Sequence, residues 1–405
     1  MNEVLRKTIW ISGIQVLIVT VNFAANIVLA RSMDLADFGS YHALIAWAAA
    51  GASFGLPGMN VAITRGCLKK YDRFYWWAQK KALISSVGGG LLVSIGGLVL
   101  FLVEGEFTAK CGFLLLVAAS IPLGGFQGID SALIGKGEYR LSRFLALIGA
   151  VLTFVFTASI ALTIKQTEWV FMGFLSAKCL TILIGFYWVR KKLSEAPPDP
   201  ELEDSLMRQG WRQVGVGVFT LITSQIDRII LSIISPVVLA VYHIAILLPQ
   251  RAVGSSKVLL GVICADWGKL TGEENLRRIN KKIHVMLFGG VMGAGIIALL
   301  LTWIIPMVFG EGYRESVILG QLFCLNIIFS IPMAFYLGYE QFQHDGEFSQ
   351  KIEVKRALFF LPLAAVLALT LGGLGLVIVH IIVNTITAFL CFKQFNRRCN
   401  AAGIV

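Results

Sequence analysis

The chain has 405 residues, of which 57% are hydrophobic and 15% are charged, and its mean hydropathy is +0.76. This composition excludes a soluble globular domain, because apolar windows of about 20 residues recur along the whole length and each could cross the roughly 30 Å hydrocarbon core of a bilayer. The formal charge of +11 would fit a nucleic-acid-binding protein, but its distribution between the loops indicates membrane topology instead.

The apolar windows predict an all-α polytopic membrane protein, because a backbone in lipid must satisfy its hydrogen bonds internally. The first window follows Arg6 and Lys7 but, at about 20 residues, exceeds the roughly 7–15-residue core of a signal peptide, so we expect it to be retained. Only Gly372 and Gly373 separate the last two windows. The twelve predicted spans are 10–30, 41–64, 82–103, 111–134, 141–164, 169–189, 211–234, 237–264, 284–309, 316–340, 357–373 and 374–395.

Basic residues predict the orientation of these spans. The two termini and every second loop together carry 27 of the 35 lysines and arginines, whereas the loops on the opposite side carry four. Because basic residues concentrate on the cytoplasmic side, both termini are predicted to be cytoplasmic. The remaining four basic residues lie within predicted spans, and they are Lys178, Arg228, Arg251 and Lys257.

An internal repeat predicts two halves. At a constant shift of 201 residues Trp10 matches Trp211, and Tyr41-His42 matches Tyr242-His243. The segment between the halves is rich in proline and acidic residues, which indicates a loop. We therefore expect two six-helix bundles, related by a pseudo-two-fold axis along the membrane normal, with a substrate path at their interface. The predicted domains are residues 1–195, a cytoplasmic linker at 196–209, and residues 210–405.

Polar residues in span seven follow a helical spacing. Thr220, Thr223, Ser224 and Asp227 are spaced to share one helix face, and Asn22 and Asn26 of span one align with Thr223 and Asp227 in the repeat. Two such stripes could flank a central cavity. The alternative is that these side chains only hydrogen-bond between helices, with Asp227 in a fixed ion pair.

The four basic residues within spans are the predicted substrate-binding residues. Arg228 carries a planar fork that suits bidentate phosphate binding, although it could instead extend to the interface. Arg251 and Lys178 lie deep enough to favour a cavity, whereas Lys257 lies nearer the cytoplasm and either environment fits it. With Asp130 and Asp227 the only acids clearly within spans, the cavity is predicted to be positive and to attract an anionic head group.

Span eight adds polar residues that could support such a cavity. His243 and Gln250 share a helix face, beside Arg251. Pro249 predicts a kink between His243 and Arg251, because proline lacks an N–H and its ring crowds the preceding turn. A kink could serve a rocking transporter, or it could be a packing bend alone.

Three short stretches resemble a known family. They are Leu29-Ala30-Arg31-Ser32-Met33 with Asp37-Phe38-Gly39-Ser40-Tyr41, then Gln225-Ile226-Asp227-Arg228-Ile229-Ile230-Leu231, and Phe309-Gly310-Glu311-Gly312-Tyr313. In order and spacing they are similar to the O-antigen and polysaccharide flippases (Wzx-like) of the multidrug/oligosaccharidyl-lipid/polysaccharide superfamily. The peptidoglycan-lipid flippases, which are also similar, usually carry two further C-terminal helices.

The resemblance implies a V-shaped pair of six-helix bundles in the bacterial inner membrane that opens alternately inward and outward. It also implies a substrate made of an oligosaccharide on undecaprenyl pyrophosphate, for O-antigen or another surface polysaccharide. The partners that it implies are the lipid bilayer and a polysaccharide polymerase or ligase, with no nucleic acid. No cofactor is expected, and the coupling ion, H⁺ or Na⁺, stays open.

Other classes fit the sequence less well. A cation-coupled multidrug exporter of the same superfamily would need more carboxylates in its cavity than this chain offers. A membrane glycan polymerase or ligase typically carries a large external loop with catalytic residues, whereas the predicted external loops here are under about ten residues. The seven cysteines form no metal-binding cluster, and no nucleotide-binding or His-Glu-x-x-His motif occurs. We therefore expect a transporter, with no metal site and no catalytic residue.

Overall fold

The computed structural model describes residues 3–104, 109–194, 197, 199–267, 272–343, 347–401 and 403. Within these ranges the regular structure is helical and no strand occurs, which confirms the all-α prediction. Contacts between residues divide the chain into two compact units. We call Leu17–Ile229 the first unit, and Met1–Val16 together with Ile230–Val405 the second unit. The boundaries at 195 and 210 predicted from the repeat stay a prediction.

The first unit contains α1 to α9, except for the start of α1, and also the start of α10. They are α1 Glu3–Ser32, α2 Leu35–Gly51, α3 Met59–Leu68, α4 Arg73–Glu104, α5 Ala109–Gly124, α6 Gly128–Gly135, α7 Tyr139–Thr163, α8 Thr167–Lys192, α9 Pro200–Thr223 and α10 Ile226–Ile234. The helix α1 begins in the second unit, and α10 ends in it.

The second unit continues with α11 Pro236–Trp267, α12 Gly272–Ile304, α13 Glu315–Phe323, α14 Leu325–Gln343 and α15 Glu347–Ala401. Within the described ranges nine helical stretches are long and apolar enough to cross a membrane, and a bent pair makes up to ten. Two of the twelve predicted spans are therefore not counted separately. One belongs to the last helix, which contains two spans, and the other is the seventh span, which is broken.

The helix α15 is a helical hairpin. Its apolar stretch has 51 residues, which at about 1.5 Å per residue is more than twice the roughly 30 Å that one crossing requires. The chain reverses at Gly372, whose φ of 59° lies in the left-handed region that glycine adopts readily. A Cβ on Gly375 would lie only 1.9 Å from the carbonyl oxygen of Leu367, so the two arms touch through their backbones. Predicted spans eleven and twelve are the two arms of this hairpin.

The second predicted span is bent by 56°. A short 3₁₀ helix at Ala52–Gly55 follows α2, and Leu56 then adopts a φ of 54° before α3 begins. The bend packs closely against α9, because a Cβ on Gly58 would lie 2.1 Å from the backbone of Gln213 and Val214. Glycine is required at this contact, and the Gly55-Leu56-Pro57-Gly58 sequence was the signal for a break that the prediction of one straight span missed.

The segment predicted as a linker is partly helical. Pro200 was expected to keep this segment in a loop, but it occupies the first position of α9, where its missing N–H is not needed. Asp199 Oδ1 accepts a hydrogen bond from the backbone N–H of Leu202 at 3.1 Å, and Glu201 and Glu203 lie in the first turn, where carboxylates stabilise a helix. The acidic run therefore begins a helix.

Polar contacts attach this segment to the first unit. The carboxylate of Asp72 is fully buried and accepts from Lys136 Nζ at 2.5 Å and from the backbone N–H of Ser194 at 2.9 Å. The hydroxyl of Tyr71 donates to Glu203 Oε2 at 2.8 Å. Burial, and then this hydrogen bond, raise the pKa of Tyr71, so the phenol stays protonated as a donor at neutral pH. Ser194 and Glu203 are more than 120 residues from Asp72 and Tyr71, so the sequence pattern did not reveal these contacts.

Candidate functional site

The seventh predicted span is broken at Ser224 and Gln225, between α9 and α10. The prediction that one continuous helix face carries Thr220, Thr223, Ser224 and Asp227 is therefore wrong. Thr220 and Ser224 are exposed, whereas Asp227 is 1% exposed in the first turn of a separate helix. The side chain of Thr223 lies outside the described part.

The break places charged and amide groups together at the start of α10. Arg228 Nη1 donates to Gln225 Oε1 at 2.9 Å, and Gln225 Nε2 donates to Ser224 Oγ at 3.3 Å. The backbone N–H of Arg228 donates to Asp227 Oδ1 at 2.8 Å. A carboxylate that accepts from a backbone N–H in the first turn of a helix is stabilised by the helix dipole. Asp227 thus stabilises the start of α10, and Arg228 is half-buried beside it.

Arg228 also acts on α2. Its positive charge interacts with the imidazole of His42, which is buried with its ring 4.5 Å from the ring of Phe38. The edge-on contact of His42 with Phe38 is a packing contact. The break in span seven and the helix α2 therefore belong to one electrostatic environment within the first unit.

Lys178 lies on the packed side of α8. Phe171, Lys178 and Gly185 are spaced by seven residues and share one face, and Phe171 and Gly185 are buried. The opposite face carries an exposed apolar stripe, formed by Trp169, Met172, Leu180, Leu183 and Tyr187. Lys178 is nevertheless exposed, and its Nζ lies 5.6 Å from the centre of the Phe174 ring, a cation–π distance.

The packed face of α8 contacts other helices near both of its ends, whereas Lys178, between these contacts, is exposed. Thr167 Oγ1 donates to Asp37 on α2 at 3.2 Å, at one end. A Cβ on Gly185 would lie 2.7 Å from Leu145 and 2.9 Å from Ile129, at the other end. Between these contacts the side chain of Lys178 is exposed, on the face opposite the apolar stripe. A cavity beside Lys178 stays a prediction.

Asn22 and Asn26 lie half-buried on the continuous helix α1. Asn22 Nδ2 donates to the carbonyl oxygen of Ile18 at 2.8 Å, and Asn26 Nδ2 donates to the carbonyl oxygen of Asn22 at 2.8 Å. These bonds stay within one helix, so they satisfy part of each amide without a neighbouring helix. Both the cavity and the packing interpretation are compatible with these bonds.

The other predicted site residues belong to the second unit. His243 is buried on α11, while Gln250 and Arg251 are half-buried further along the same helix. The helix is continuous through Pro249 and is fixed to α13, since Ser316 Oγ donates to the carbonyl oxygen of Val241 at 2.7 Å. The side chain of Lys257 lies outside the described part. The predicted residues thus form two groups, one in each unit, and those in the first unit are Asn22, Asn26, Lys178, Asp227 and Arg228.

Asp130, the other acid predicted within a span, is paired. Its carboxylate accepts from the hydroxyl of Ser142 and forms an ion pair with Arg143 at 3.1 Å. The carboxylate is half exposed at the start of α6. Asp130 therefore contributes little negative charge to a cavity, because its partner neutralises it. Among the described residues no group of three or more histidine, cysteine, aspartate or glutamate side chains could hold a metal ion.

Comparison with known proteins gives one family and one fold. Residues 4–250 match the family described as "Polysaccharide biosynthesis protein". No curated protein sequence matches this chain.

Solved structures share the fold of this chain over nearly its whole length. An inward-facing multidrug resistance transporter of the MATE family, in the MOP superfamily, has 16% sequence identity and a TM-score of 0.66, with 98% of this chain and 99% of that chain covered. A MATE transporter in complex with MaD5 has 15% identity and a TM-score of 0.68, with 100% and 98% covered. These likenesses show a MATE-like transporter fold with twelve membrane-spanning helices in two lobes.

A third similar structure is a MOP superfamily transporter from Pyrococcus furiosus. It has 15% identity and a TM-score of 0.60, with 99% of this chain and 96% of that chain covered. Its description states that the reversed polarity of its binding pocket suggests a different function. The fold is therefore found in transporters whose binding pockets differ in charge.

Proposed function

The chain belongs to the polysaccharide biosynthesis protein family of transporters, and we propose that it moves an oligosaccharide linked to undecaprenyl pyrophosphate from the cytoplasmic to the periplasmic leaflet of a bacterial inner membrane. O-antigen or another surface polysaccharide repeat unit would be the cargo, and both termini would be cytoplasmic. The chain would work by alternating access, with no bond made or broken.

The excess of basic over acidic side chains in the membrane-spanning helices is the observation that carries this proposal. Lys178, Arg228 and Arg251 lie within these helices, whereas Asp227 is buried at a helix start and Asp130 is paired. A pyrophosphate head group is anionic, and its attraction to a basic group is strong where water is scarce. Lys178 supports the proposal best, because it is exposed on the otherwise packed face of α8.

Multidrug export is the second candidate, since MATE multidrug transporters share the fold. A cation-coupled exporter of cationic drugs would need carboxylates to hold the coupling ion and the drug. The described spans offer mainly basic groups, which would repel a cationic drug. As in the transporter from Pyrococcus furiosus, the charge of the binding site can separate members of one fold.

Neutralising two bases tests the proposal. In cells where this chain is the sole flippase, the double variant Lys178→Gln with Arg251→Gln should lower the rate of surface-glycan appearance about tenfold or more, because each charge-assisted bond to phosphate contributes about 1.5–3 kcal/mol. Surface glycan is measured by gel and protein level by immunoblot. The control replaces Lys165 and Arg314, two bases of the predicted external loops, by glutamine and should transport normally. Normal export by the first double variant at normal protein level would overturn the site.

A further inference from the structure

An apolar groove lies between three helices of the second unit. Its volume is about 300 Å³, at the lower end of the range of ligand pockets. One wall comes from α12, a second from α14 and a third from the last turns of α15. The residues that line it are Ile279, Ile283, Leu287, Phe329, Pro332, Met333, Tyr336, Thr385, Ala388, Phe389, Cys391, Phe392 and Phe395.

Backbone contact closes one end of this groove. A Cβ on Gly290 would lie 3.0 Å from the carbonyl oxygen of Ile328, so α12 and α14 touch there. From that contact the lining residues follow α12 towards its N-terminus, and α14 and α15 towards their C-termini. All three directions lead to the side that the basic residues predict to be cytoplasmic. The groove thus runs from the contact between Gly290 and Ile328 towards the cytoplasmic leaflet.

The depth and lip of the groove indicate a hydrocarbon occupant. Its walls belong mainly to stretches that are apolar enough to span a membrane, such as Ile283–Phe309 and Lys351–Ala401. Phe389 and Phe392 form an exposed lip, with 65% and 48% of their surface accessible. Because Phe389 and Phe392 are large and apolar, this lip suits contact with hydrocarbon chains better than contact with water.

Charge at the cytoplasmic end of the groove indicates an anionic head group. The segments 272–284 and 391–401, which flank this end, contain seven lysines and arginines but only two acidic residues. Arg277, Lys281, Lys393 and Arg397 are exposed there. Basic residues at this level attract anionic lipid head groups of the cytoplasmic leaflet. The occupant is therefore expected to combine a hydrocarbon chain with a phosphate.

We propose that this groove holds the polyprenyl chain of the lipid-linked oligosaccharide while its phosphates remain at the cytoplasmic side. The inference rests on the proposed function and adds the part of the protein that recognises the lipid. The walls alternate large rings, among them Phe329, Tyr336 and Phe395, with short side chains at Ala388 and Cys391. An uneven apolar wall of this kind suits a methyl-branched polyprenyl chain better than a straight acyl chain.

Filling the groove tests this inference. Ala388→Trp places an indole inside it, and Ala365→Trp, at an exposed position on the other arm of the α15 hairpin and outside the groove lining, is the control. The delipidated protein is incubated with mixed micelles that contain equal amounts of undecaprenyl phosphate and dioleoyl phosphatidic acid, and retained lipid is measured by native mass spectrometry. Wild type and Ala365→Trp should retain the polyprenyl lipid preferentially, and Ala388→Trp should retain about tenfold less of it, a change of about 1.4 kcal/mol.

Three outcomes would overturn the inference. One is that Ala388→Trp retains as much undecaprenyl phosphate as Ala365→Trp does. Another is that wild type retains both lipids equally and that both are lost in Ala388→Trp, which would make the groove a general lipid site. The third is that Ala388→Trp elutes as an aggregate and the smaller change Ala388→Leu leaves retention unaltered. The two proposals can fail separately. If the Lys178 and Arg251 variant loses glycan export while Ala388→Trp retains lipid unaltered, the proposed function is supported and only the role of the groove is contradicted.

Discussion

The predicted sequence repeat aligns the first two spans of each half, yet the two pairs are broken at different places. In the first half α1 is continuous, and the following span bends by 56° after Gly55. In the second half the break lies in the first member of the pair, at Ser224 and Gln225, and α11 continues through Pro249 to Trp267. A repeat therefore predicts where spans lie, but it does not predict which of them is interrupted.

The two breaks also differ in what satisfies them. The bend of the first half is packed by glycine against the backbone of α9 and of α5, at Gly58 and Gly55 respectively. The break of the second half is lined by Gln225, Asp227 and Arg228, which hydrogen-bond one another and the freed backbone. A broken helix in a membrane must satisfy its backbone by packing or by polar side chains, and this chain uses one solution in each half.

Removing the close packing should have the largest effect. Gly58→Ala would place a methyl group about 2.1 Å from the backbone of α9, and such overpacking costs about 1–3 kcal/mol or more. We expect the midpoint of thermal unfolding in detergent to fall by roughly 5–10 °C. Gly215→Ala on α9, where nothing lies within 4 Å, is the control and should leave the midpoint unchanged or higher.

A second glycine keeps this prediction testable if Gly58→Ala does not fold. Gly217→Ala on α9 approaches the backbone nitrogen of Gly58 at 2.8 Å, so it should cost less than Gly58→Ala and more than Gly215→Ala. Equal midpoints for Gly217→Ala and Gly215→Ala would show that the bend and α9 are not in close contact.

Removing the charge at the second break should have an intermediate effect. Asp227→Asn keeps the shape but removes a buried carboxylate that accepts from the N–H of Arg228, at a helix start. The loss of this charge should cost about 1–2 kcal/mol and lower the unfolding midpoint accordingly. Asp204→Asn, at an exposed i,i+4 pair with Arg208, should change the midpoint much less. A variant Asp227→Asn as stable as wild type would mean that the carboxylate does not hold the break together.

The helical class, the number of spans and the family could be predicted from hydropathy, loop charge and three short motifs. The breaks could not, because each depends on a neighbour far away in sequence. Gly58 meets Gln213, and Tyr71 meets Glu203, more than 130 residues later. Pro200 could not be placed from the sequence either, because a proline can mark the end of a helix or its first turn. The capping contact of Asp199 decides for the first turn.

The candidate site was predicted in its residue types more than in its geometry. Periodicity placed Lys178 in the middle of span six, and the structure adds that its face of α8 is otherwise packed. Periodicity also placed Thr220 and Asp227 on one face, which the break between them contradicts. A helical wheel assumes a continuous helix, so it fails where the helix is interrupted, as at Ser224 and Gln225.

The smallest effect on stability is expected from a substitution in α1, the continuous helix of the first pair. Asn22→Ala removes an amide that donates to Ile18 of its own helix, and alanine is a better helix former than asparagine. If packing along α1 is otherwise unchanged, the unfolding midpoint should shift by about 1–2 °C at most, since the expected change is within about 0.5 kcal/mol. Glycan export measured on the same variant then separates the two interpretations of Asn22. A loss of export with unchanged stability would place the amide on the substrate path, whereas normal export would leave it as a packing residue. A loss of export would also mean that polar residues of both sequence halves line the substrate path, although only the second half has a broken helix at these residues.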